Sequence, residues 1–120
     1  MKDSTSDARQ SPFACVMSAI DADKREPHLA NAKQLFKLVQ EIRELENGFG
    51  FRFVNSPNLL TKLAEFIALE RLCCPFFGFA IEVEPEDGAI WLKLTGREGV
   101  KPFIQMEVGE LVEADWNKLA

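Results

Sequence analysis

The sequence predicts an α+β fold: a two-layer sandwich in the order β-α-β-α-β-β-α, with a mixed or mostly antiparallel sheet and its helices on one face. Three observations carry this expectation. Phe49, Phe51 and Phe53 alternate with Gly50, Arg52 and Val54, the period of a half-buried strand. Phe79, Ile81 and Val83, then Ile90, Leu92 and Leu94, repeat that alternation on either side of Pro85-Glu86-Asp87-Gly88, which reads as a hairpin around a turn. Between these strands, Leu59, Leu63, Phe66, Ile67, Cys73 and Cys74 fall on one stripe of a helix. Strands and helices that each carry one apolar face bury both by stacking as two layers.

The elements follow in order. Residues 1–11 are polar and mixed in charge, and read as a disordered leader; residues 12–120 read as one domain. Phe13-Ala14-Cys15-Val16-Met17 is a short strand candidate with Phe13, Cys15 and Met17 on one face. Pro27 suits the first turn of a helix. Leu29, Ala32, Leu35, Phe36, Val39, Ile42 and Leu45 then recur at helical spacing, with Asn47-Gly48 as the stop. Asn55-Ser56-Pro57-Asn58 is a turn and N-cap for the next helix. Pro75 ends that helix, because its ring removes a donor and disfavours helical geometry at Cys74. Gly96-Arg97-Glu98-Gly99 is a loop without a phosphate-binding pattern. A last helix starts near Val100 and runs to about Val112.

Composition limits the function. The net charge is −5 and no basic run is present, which argues against nucleic acid as a partner. No apolar stretch reaches the roughly 18 residues of a membrane span, and the N-terminus lacks the apolar core of a secretory signal. A cytoplasmic location is the default. Three cysteines without an export signal read as reduced thiols rather than a disulfide framework.

The chemistry concentrates on Glu70, Cys73 and Cys74. At about 100° per residue, Glu70 points between the directions of the two thiols, on the core-facing stripe. A carboxylate there is costly without a partner; Arg25, Arg52 and His28 are the candidates. The vicinal cysteines admit four roles. They pack as small hydrophobes, the commonest role of a buried cysteine. They bind a soft cation such as zinc, copper(I), mercury(II) or arsenic(III), with Cys15 as a third sulfur and Glu70 or His28 completing a tetrahedral set. They act in redox chemistry, against which stand the missing Cys-x-x-Cys spacing and the negative end of the helix dipole. Or one of them is a nucleophile with the single histidine, His28, as base. A homodimer contact through Trp91 is a further option.

The run Glu70-Arg71-Leu72-Cys73-Cys74-Pro75-Phe76, with Gly48-Phe49-Gly50-Phe51-Arg52-Phe53 and Leu94-Thr95-Gly96-Arg97-Glu98-Gly99-Val100-Lys101 beside it, resembles a group of small bacterial proteins. These share a helix ending in Glu-Arg-x-Cys-Cys-Pro-Phe. The resemblance spans Phe13 to Ile104, includes the early Cys15, Arg25 and His28, and implies a loose association with heavy-metal response but no particular activity. The expectation is therefore a non-enzymatic domain for a thiophilic metal or metalloid. Cys73 and Cys74 are its primary ligands, Cys15 is the third, and Glu70 and His28 are auxiliary. The alternatives are a structural or protein-interaction domain with packing cysteines, and a small thiol enzyme.

Overall fold

The structure is a computed structural model that describes residues 12–112 and 116–120. The leader expected over residues 1–11 lies outside the described residues. The elements are a short 3-10 turn at Met17–Ala19, α1 (Ala22–Phe36), β1 (Val39–Leu45), β2 (Gly48–Phe53), α2 (Leu59–Cys73), β3 (Gly78–Val83), β4 (Ile90–Thr95), α3 (Val100–Gly109) and α4 (Trp116–Leu119). The four strands form one antiparallel sheet in the order β1-β2-β4-β3. The architecture is the α+β fold the sequence predicts, in the order α-β-β-α-β-β-α-α rather than β-α-β-α-β-β-α.

The register explains the core. Phe49, Phe51 and Phe53 stand opposite Leu94, Leu92 and Ile90, and these in turn stand opposite Phe79, Ile81 and Val83. Directly opposed residues share a face, so the alternating apolar sets of three strands merge into one surface. The helices cover it. Phe36 of α1 meets Phe51 and Phe53 at ring separations of 5.6 and 5.8 Å, and Trp116 meets Phe49 at 5.1 Å. Val100, Ile104 and Val108 bury the inner stripe of α3. On the other face, Trp91 is covered by the Arg43 guanidinium 4.4 Å above its ring, a cation–π contact. Trp91 is thus already buried within the chain.

Three elements differ from the sequence reading, one of them the short α4, which it did not expect. The helix expected from Pro27 to Leu45 begins earlier and ends at Phe36, with Pro27 inside it, and residues 39–45 are the edge strand β1. The three-residue spacing of Val39, Ile42 and Leu45 fits a helix, but a register shift between Val39 and Glu41 accommodates Val39 and Ile42 as buried strand residues. Asn47-Gly48 is then part of a tight hairpin, with Leu45 paired to Gly48, rather than a helix stop. A side chain at Gly48 is excluded, because its Cβ would lie 1.9 Å from the Leu94 carbonyl oxygen. The third difference is the segment 13–17, which keeps its alternating exposure but joins no strand. It runs instead beside the end of α2. The β3–β4 turn is as expected: Gly88 N–H donates to Pro85 O, and Glu86 and Asp87 both have positive φ, as in the hairpin turns whose twist matches the strands.

Candidate metal centre

The site forms where three chain segments meet. α2 ends as Pro75 requires. Cys73 is its last residue, and Cys74 leaves helical geometry at φ −124° and ψ 74° while its N–H still reaches Glu70 O at 2.7 Å. Both cysteine side chains are buried. Segment 13–17 is fixed against this helix end by Val16 N–H donating to Cys73 O at 2.9 Å. Its Phe13 ring packs edge-on to Phe76 at 5.2 Å. The anchoring sets Cys15 beside Cys74, and the two form a disulfide across a sequence separation of 59. This corrects the expectation that all three thiols are reduced. Of the cysteines, only Cys73 is free. Sequence spacing gave no hint of the crosslink, because it depends on a main-chain contact between distant segments.

Cys73 Sγ lies 3.7 Å from Cys74 Sγ and 3.7 Å from Met17 Sδ, toward which its thiol points. The sulfurs of Cys15, Cys73 and Cys74 all lie within 4.8 Å of one another. Glu70 closes the group: Oε2 is 3.3 Å from Cys74 Sγ and Oε1 is 2.8 Å from His28 Nε2. An ionised carboxylate only accepts hydrogen bonds, so Nε2–H donates to it. With the disulfide formed, Cys74 has no hydrogen to give; reduction turns its contact with Glu70 into an S–H···O hydrogen bond.

His28 sits well inside α1 because that helix starts before Pro27. It is 3% exposed and stacks on Phe66 with ring centroids 5.5 Å apart. A solvent-facing first-turn histidine is therefore ruled out, and His28 is the partner that Glu70 needs. The arginines considered for that role are engaged elsewhere, Arg25 with Ile20 O and Arg52 with Gln40. Nδ1 of His28 is buried and has no hydrogen-bond partner among the described residues.

Burial, then the Glu70 carboxylate, pushes the Cys73 thiol up from 9.0 to about 11. A thiol held protonated is a poor nucleophile at neutral pH, which counts against a thiol enzyme built on Cys73. Burial and then Glu70 also raise the Glu107 carboxyl above its ordinary value. Glu107 comes from α3 and lines the same cavity of about 400 Å³ as Cys15, Met17, His28, Glu70 and Cys73. Met17 was legible as a neighbour, since it shares the Cys15 face of an alternating segment. Glu107 carried no local signal; only the packing of α3 brings it here.

All five residues singled out in the sequence, Cys15, His28, Glu70, Cys73 and Cys74, meet in this one place. No protein-family model, curated protein or solved structure matches the chain. Among the described residues, no helix is long and apolar enough to cross a membrane.

Proposed function

We propose that this protein, in its reduced form, binds a thiophilic metal or metalloid ion, with Cys73, Cys74 and Cys15 as ligands and Glu70 and His28 as auxiliary groups. The supporting observation is the convergence of three sulfurs within 4.8 Å. Sulfurs around a tetrahedral zinc, with bonds of roughly 2.3 Å, stand about 3.8 Å apart, which the Cys73–Cys74 separation of 3.7 Å already matches. Opening the Cys15–Cys74 bond frees the other two thiols beside Cys73. Met17 adds a soft thioether beside Cys73. Zinc is one occupant of such a set; copper(I), mercury(II) and arsenic(III) are others. The disulfide makes occupancy conditional on reduction.

Equilibrium dialysis of the reduced protein against each of these ions tests the reading. One ion per chain is expected, lost in the Cys73→Ser/Cys74→Ser double variant and absent in the oxidised protein. Equal uptake by the double variant, or none by the reduced wild type, refutes it. The Cys15–Cys74 crosslink itself favours a second reading, in which the cysteines staple a structural or protein-interaction domain. Reduction would then lower stability and create no ion response.

A further inference from the structure

The cavity beside the sulfurs is far larger than an ion needs. It measures about 400 Å³, whereas a water-sized occupant takes roughly 30 Å³ and an apolar space of about 150 Å³ already admits benzene. Its inner wall is hydrocarbon: Ala32, Phe36, Phe66 and Leu94 line it, and all four are buried. Cys15 and Cys73 line it too, whereas Cys74 does not. The remaining polar groups on its wall are Glu70, Glu107, Glu110 and His28, so among the described lining residues carboxyls outnumber the one group able to carry positive charge.

Resting on the metal-binding reading above, we infer that the site takes a trivalent arsenical that still carries one organic group, with arsenic on Cys15 and Cys73 and the organic group in the cavity. Two sulfurs facing an apolar chamber match a ligand with two exchangeable valences and one carbon substituent. The charge balance fits as well. A low-molecular-weight thiol first reduces the Cys15–Cys74 bond: two equivalents give two protein thiols and one disulfide of the reductant. The arsenical, R–As(OH)2, then condenses with Cys15 and Cys73. Two S–H and two As–O bonds break, two As–S bonds form and two waters leave. No oxidation state changes, and the product is neutral. A bare divalent ion on the same two thiols displaces two protons and leaves the apolar chamber unfilled.

The test uses the full chain, reduced and under anaerobic conditions, titrated with phenylarsine oxide, methylarsonous acid and inorganic arsenite, with free dithiothreitol as the reference dithiol. Relative to that reference, the protein is expected to favour phenyl over methyl by at least about tenfold, the scale of burying one aromatic ring. Ala32→Leu, which narrows the inner wall, should bring that preference to near one by weakening phenyl binding more than arsenite binding. Leu29→Trp, at a lining position 46% exposed, gives the same readout without altering the core. No phenyl preference in the wild type, or a preference kept in both variants, overturns the inference. Arsenite binding that survives such a failure leaves the metal-binding reading standing; loss of every ion removes both.

Discussion

The Cys73 thiol is held protonated by its surroundings, and this has two measurable effects. Its value of about 11 against an ordinary 9.0 means a thiolate fraction about a hundredfold smaller at neutral pH, and alkylation follows the thiolate. Iodoacetamide labelling of Cys73 should be slower than that of an exposed thiol by about that factor; an ordinary rate removes the argument. The raised value also gives a sign for stability. The folded state holds its proton where the unfolded chain has lost it, so this contribution is complete below pH 9 and disappears as pH rises toward 11. Denaturant midpoints should fall over that window and fall less in Cys73→Ala. A third prediction concerns the His28–Glu70 pair, buried on one side and 2.8 Å long. A double-mutant cycle with His28→Ala and Glu70→Ala should show a coupling of about 1–3 kcal/mol. Coupling near zero would mean that the pair does not hold the site together.

Among the elements, the β1–β2 hairpin makes the sharpest demand on its sequence. Gly48 must lack a side chain to let β4 approach, and Gly48→Ala should cost about 1–3 kcal/mol or more in urea unfolding, the usual penalty of overpacking. An unchanged midpoint would show that the strands can separate without cost. The same hairpin shows why part of the chain was not legible. Val39, Ile42 and Leu45 fit a helical stripe, and only the need of β2 for an edge partner makes them a strand. β2, β3, β4 and α2 were readable because each has an unbroken period and its own punctuation, such as Pro75 or the turn at residues 85–88. Segment 13–17 shows the opposite limit. Its alternation was readable, but the partner of its Val16 N–H is a helix-end carbonyl, which no periodicity encodes.

For the whole molecule, the disulfide ties the first described segment to the end of α2. Its ends are 59 residues apart, and by chain entropy a loop of that size contributes about 4 kcal/mol. Reduction should lower the denaturant-extrapolated stability by up to that amount. If the reduced site then takes an ion, an excess of about a hundredfold over Kd should restore about 2.7 kcal/mol, seen as a rise in Tm in the reduced protein only. A rise that is equal in the oxidised protein would place the ion elsewhere. What the sequence determined alone was the material: apolar periods for three strands and a helix, a proline that halts that helix beside two cysteines, and an acid facing inward. Those follow from local geometry and the cost of burying charge. The tertiary structure decided the connections. It chose His28 over two arginines as the partner of Glu70, joined Cys15 to Cys74, and opened a chamber between α1, α2, α3 and the sheet. These depend on which distant surfaces come into contact, and that is set by packing the whole chain at once.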